Sequence, residues 1–130
     1  MKRTIIGAAV LGVAAVLVTP AQAFAGTNVP WTKSTDKAPG AKGKFTAKGD
    51  VVNVCDIEED GWAAFVKLSK WSARDSHYIE VDEYHVGGKN RCKPKSYDKY
   101  VTEGLKVKIE VCLWKKDKFD KYCRKAYGRA

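Results

Sequence analysis

The segment LKVKIEVCLW, Leu105 to Trp114, alternates without a break. Leu105, Val107, Ile109, Val111 and Leu113 fall on one face, and Lys106, Lys108 and Glu110 on the other. Period-two alternation over this length is the pattern of a half-buried strand, since successive side chains leave a pleated chain on opposite sides. Cys112 takes the lysine-bearing side. It is therefore badly placed to bridge two sheets through a core. The next cysteine, Cys123, comes after a turn near Asp117 and Lys118. If that turn is tight, the two face one another across a hairpin, at disulfide distance. Cys55 then pairs with Cys92. One detail fits poorly: a two-residue turn sets Arg124 on the face of Val111, which asks for a longer loop.

Other segments repeat the theme. GDVVNVCD is β-branched and ends in turn residues. WAAFVKLSKW puts Trp62, Ala64, Val66 and Leu68 on one side. HYIEVDEYHV sets Ile79 and Val81 against Glu80 and Asp82 and stops at Gly87-Gly88. FDKYCRKAY reads as a last strand. No window of the chain beyond residue 25 keeps a helical period. Many short strands with frequent turns predict an all-β fold: a small antiparallel β-sandwich, immunoglobulin-like or barrel-like, with two disulfides and a flexible N-terminal tail.

Residues 1–25 read as a signal peptide. Lys2 and Arg3 precede a fourteen-residue apolar stretch, Ile5 to Val18, and Pro20 precedes AQAFA. Small residues allow cleavage after Ala23 or Ala25. The stretch is shorter than the roughly 20 residues that span a bilayer. Residues 26–44 read as a flexible tail, because prolines, glycines, lysines and threonines leave only Val29 and Trp31 to bury. Residues 45–130 form the sandwich domain. Export and an even cysteine count favour disulfides, and zinc is disfavoured because no C-x-x-C pair occurs.

Past the signal the chain has 22 basic and 15 acidic residues, net +7, and the excess is uneven. Gly26 to Gly88 holds 8 basic and 10 acidic residues, and Lys89 to Ala130 holds 14 and 5. Such a balance permits an anionic partner, and it is more simply read as a lysine-rich solvated surface that keeps an exported protein soluble.

The acidic run Asp56, Glu58, Glu59, Asp60 before Gly61 resembles the start of a calcium loop. Glu58 is long for position three, Lys67 stands where a bidentate Glu is needed, and no helix flanks it. The run reads better as the tip of a hairpin, with Asp60-Gly61 supplying positive φ. Acids sharing one solvated turn lack the two environments a glycosidase needs. His77, Glu83 and His85 share strand parity, but eight residues along a strand separate the two rings by roughly 26 Å. Glu83 and His85 with an arginine (Arg74, Arg91, Arg124 or Arg129) form the alternative reading, a small secreted nuclease. No G-x-S-x-G, free thiol, G-x-G-x-x-G or P-loop is present, and no cofactor is expected.

CLWKKDKFDKYCRKAYGR interleaves aromatics and cations. Trp114, Lys115, Lys116, Lys118 and Lys121 form a candidate patch for an anionic ligand. GDVVNVCDIEEDGWAAFVKL, then KNRC, then EGLKVKIEVCLW and a last cysteine resemble a group of small exported actinobacterial proteins. That resemblance implies a two-disulfide β-sandwich and no activity. The expectation is a monomeric or weakly associating secreted module that binds rather than catalyses. Its partner would be an anionic surface polymer or a secreted or cell-surface protein.

Overall fold

The structure, a computed structural model, describes residues 26–130; the expected signal sequence lies outside them. Eight strands follow in order: β1 (Val29–Lys33), β2 (Ala41–Thr46), β3 (Val51–Asp56), β4 (Ala63–Ser72), β5 (His77–Val86), β6 (Arg91–Ser96), β7 (Lys106–Trp114) and β8 (Lys121–Arg129). They form two antiparallel four-stranded sheets, β1-β2-β3-β6 and β5-β4-β7-β8. The sheets pack face to face, with β1 on β8, β2 on β7, β3 on β4 and β6 on β5. No helix occurs among the described residues, and so none long and apolar enough to cross a membrane.

Alternation builds the core. Val107, Ile109, Val111 and Leu113 of β7 and Ala64, Val66 and Leu68 of β4 meet Ala41, Phe45, Val52 and Val54 of the other sheet. Tyr97 and Val101, in the loop after β6, close one end of that core.

Residues 26–44 are part of the sandwich. They hold β1 and most of β2, and Val29 and Ala41 are fully buried. The expected tail is corrected for a packing reason. Its inward positions are small, so a count of large apolar residues misses them. A Cβ at Gly43 would lie 2.7 Å from Val111 Cγ2, and one at Gly40 would lie 3.0 Å from Leu113 Cδ2. Bulk from β7 fills the space that these glycines leave. A bulge between Val29 and Thr32 lets both turn inward while Trp31 turns out. The loop after β1 is also tied: Asp36 Oδ2 accepts from Gly40 N at 3.1 Å, and Thr35 N donates to the Tyr122 carbonyl at 2.9 Å.

Both disulfides pair as expected, Cys55–Cys92 and Cys112–Cys123. Each links neighbouring strands on the outer face of its own sheet, β3 to β6 and β7 to β8. The β7–β8 register shifts between Val111 and Leu113, Tyr122 takes φ 55°, and Val111 pairs with Arg124. Arg124 thus shares the core-side face but stays exposed, because β8 is an edge strand.

Candidate functional site

The acidic run does not cap a hairpin. β3 and β4 lie in different sheets, so Asp56 to Trp62 is an arch between them. Gly61 does take positive φ, 76°. Asp56 is buried and structural. Its Oδ1 accepts from Glu58 N at 3.2 Å, and its Oδ2 accepts from Gly88 N at 2.9 Å. Its carbonyl accepts from Asn90 N at 2.7 Å. One carboxylate thus fastens the arch to the β5–β6 connection. A cleft of about 370 Å³ lies between these segments, lined by Glu58, Glu59, Asp60, Trp62 and Lys89 among others.

The candidate patch divides between two places. Trp114 stacks on His85, with centroids 3.8 Å apart, on the outer face of the second sheet. Lys115 and Lys121 turn to Trp62, their ammonium groups 5.7 and 5.2 Å from its ring. Lys115 thereby lies beside the acidic arch, its Nζ 3.9 Å from where a Gly61 Cβ would stand. Phe119, at the loop tip, is 92% exposed.

Glu83 and His85 share the outer face of β5, but His77 does not join them. A bulge between Leu68 and Ser69 shifts the β4–β5 register, so parity reverses along β5. The same bulge turns Asp82 toward the sandwich edge. There it accepts from Lys95 Nζ at 2.6 Å and from Tyr97 OH at 2.7 Å. Burial works to raise the Asp82 carboxyl, yet those hydrogen bonds and the nearby ammonium hold it below the usual Asp value. Burial and the Asp82 charge push the hydroxyls of Tyr84 and Tyr97 well above the usual tyrosine value. Tyr84 OH lies 3.0 Å from the Val52 carbonyl and 2.9 Å from that of Lys93, and so pins one sheet to the other.

Glu83 is engaged by Lys67 at 3.6 Å, as is Glu80. Burial works to lower the Lys67 ammonium, but Glu80, Glu83 and Glu110 together raise it. His85 is occupied by Trp114, and no arginine forms an ion pair among the described residues.

A cationic surface that the sequence analysis missed lies on the outer face of the first sheet. The Lys42 and Lys44 ammonium groups sit 4.4 and 4.7 Å from the Trp31 ring centroid. Lys33 pairs with Lys42 in register, so two like charges stand opposite each other, a destabilising arrangement. Asn53, opposite Lys44, has a buried Oδ1 without a hydrogen-bond partner among the described residues. No carboxylate pairs with Lys33, Lys42 or Lys44 among the described residues. The strands of this sheet carry six basic residues and one acid, the buried Asp56; Lys33, Lys42 and Lys44 lie on the outer face, whereas Arg91, Lys93 and Lys95 take the other parity and Lys95 pairs with Asp82. The signal available in the sequence was K-x-K in AKGKF, hidden by the tail reading.

No family model, curated protein or solved structure matches this chain.

Proposed function

We propose that the protein is an exported, non-enzymatic binding module that holds an anionic surface polymer on the outer face of β1-β2-β3. One observation carries the reading: Trp31 fixes Lys42 and Lys44 beside Lys33, and among the described residues no carboxylate neutralises the three. Ammonium groups held over an indole lose less freedom on binding than free lysine side chains do. Lys42 and Lys44 are two residues apart on one strand, about 7 Å, so they can follow a repeating charge along an extended chain. The cross-strand pair Lys33–Lys42 lowers stability on its own, and an anion lying across it reverses that cost. Export is supported by the leader-like sequence of 1–25 and by two disulfides, which persist in oxidising compartments.

The test is retention on a sulfated or phosphate-bearing polymer as a function of salt. Lys42→Ala with Lys44→Ala is expected to lower the log–log salt slope by about 2, one unit for each lost contact. Lys115→Ala with Lys116→Ala is expected to change it less, because the acidic arch already screens that loop. Absence of retention at low salt, or equal loss from both double variants, refutes the placement.

A further inference from the structure

The opposite face of the sandwich carries a separate surface. Trp71, Tyr78 and Tyr127 cluster there: Trp71 and Tyr78 meet edge-on with centroids 5.2 Å apart, and Tyr78 and Tyr127 meet at 5.7 Å and 53°. The strand register brings them together. Trp71 pairs with Tyr78, and Lys108, opposite buried Ser69, pairs with Tyr127. The rings therefore arch over a small residue. Three cations flank them. Lys106 lies 5.8 Å from the Trp71 ring, Lys108 lies 5.1 Å from that of Tyr78, and Arg129 pairs with Lys106 in register. Arg129 Nη1 donates to the Gly104 carbonyl at 3.1 Å, which fixes the guanidinium.

Between these groups runs a shallow groove of about 260 Å³, lined by Thr27, Tyr78, Lys106, Tyr127, Gly128 and Arg129. Among the described residues no carboxylate lines it. Gly128 is what lets the segment at Thr27, an isolated bridge to Arg129 ahead of β1, form the groove's wall: a Cβ there would lie 2.5 Å from the Thr27 carbonyl oxygen. Thr27 and Arg129 then exchange backbone hydrogen bonds, each 3.0 Å.

We infer that this groove binds one sugar ring bearing a sulfate or phosphate group. The chemistry is divided among its parts. Tyr127, 59% exposed, offers a ring face for sugar C–H groups. The hydroxyls of Tyr78, Tyr127 and Thr27 can exchange hydrogen bonds with sugar hydroxyls. Lys106 and Arg129 take the anionic group, and Lys108 adds charge at the rim. Single-stranded nucleic acid fits less well. Its bases stack on aromatics spaced along a track, whereas these rings are edge-on or tilted and gathered in one spot. The groove is independent of the polymer face around Trp31, so either site can fail alone.

The experiment is an amide chemical-shift titration of the protein with both disulfides intact. The probe is N-acetylglucosamine 6-sulfate, with N-acetylglucosamine, inorganic sulfate and an oligothymidylate as parallel arms. Expected is weak binding, on the order of 0.1–1 mM for so few polar partners, with shifts at Tyr78, Tyr127, Gly128 and Arg129. The sulfated sugar should bind at least tenfold more tightly than the sugar or sulfate alone. Tyr127→Ala and Lys106→Ala change exposed residues and leave the spectrum folded; each should weaken binding about tenfold. Lys42→Ala with Lys44→Ala should leave it unchanged. The inference is overturned if no shifts appear, if sulfate or parent sugar alone binds as tightly, if the oligonucleotide binds more tightly at the same amides, or if Tyr127→Ala has no effect.

Discussion

At the scale of single residues, two positions decide how closely the sheets approach and what their connections tolerate. Gly43 faces Val111 across the core with no room for a side chain. Gly43→Val forces methyl groups into that space, and overpacking of this kind costs about 1–3 kcal/mol. Urea unfolding should show a lower midpoint with an unchanged slope; an unchanged midpoint would mean that the sheets separate freely there. Asp50 is the opposite case, a residue kept at a cost. It is buried in the β2–β3 turn at φ 50°, and its Oδ1 has no partner among the described residues. Burial, reinforced by Glu103 and Asp98, pushes its carboxyl above the ordinary value of 3.8. A raised folded-state value means that its contribution is favourable when protonated, below about pH 3.8, and is lost as pH rises through the folded value. At neutral pH the fold carries a charged carboxylate, one oxygen of which is buried with no partner among the described residues. Asn keeps the left-handed backbone and removes the charge. Asp50→Asn should therefore stabilise by about 1 kcal/mol at pH 7. That is a rise in Tm of about 4 °C or more, and the gain should vanish near pH 3. A gain of equal size at both pH values would show that ionisation is not the cause.

At the scale of elements, the disulfides act through the strands they join. Cys55–Cys92 closes a span of 37 residues and Cys112–Cys123 a span of 11. Chain entropy assigns them about 4 and about 3 kcal/mol. The first also fastens the edge strand β6, whose side chains are all exposed and bring little burial of their own. Cys55→Ala with Cys92→Ala should thus cost more stability than Cys112→Ala with Cys123→Ala, measured by the same urea series. The reverse order would show that β8 depends on its staple more than β6 does. Phase within a strand was readable from the sequence: alternation in β7 placed Cys112 outward, and the pairing followed. What alternation could not supply was the bulge. Extending parity straight along β5 put His77 with His85, whereas the shift opposite Leu68 and Ser69 parts them and turns Asp82 toward Tyr97. A bulge adds one residue without leaving a compositional mark.

At the scale of the whole molecule, the four edges β1, β6, β5 and β8 are each interrupted or charged. β1 has Pro30 and a bulge, β6 has Pro94 among Arg91, Lys93 and Lys95, and β5 has a bulge with Glu80 and Glu83. β8 has a bulge at Tyr122 and four cations. Such edges resist strand addition from another copy. Light scattering at increasing concentration should give the monomer mass throughout, and a stable dimer in moderate salt would contradict this. The same edges leave the two outer sheet faces as the broad surfaces open to partners, one built around Trp31 and the other around Tyr127. Of the surfaces considered for function, only the loop at Lys115 to Lys121 was legible beforehand, because its charges are adjacent in the chain. Lys33 and Lys42 are separated by a loop and meet only when β1 and β2 pair, and Tyr78 and Tyr127 are further apart still.

The sequence by itself determined strands over helices, the inward and outward phase of β7, and both disulfide partners. The strands and their phase are local properties, fixed by a two-residue period; Cys55 and Cys92, 37 residues apart, followed by elimination once Cys112 and Cys123 were paired. Tertiary structure alone decided that 26–44 belongs to the sandwich, because its glycines matter only against Val111 and Leu113 of the facing sheet. It alone decided that the acidic run is an arch, since a turn's chemistry is the same whether the strands it joins pair or separate. It also decided where cations and aromatics gather, because cross-strand register, and not position along the chain, makes neighbours on a sheet.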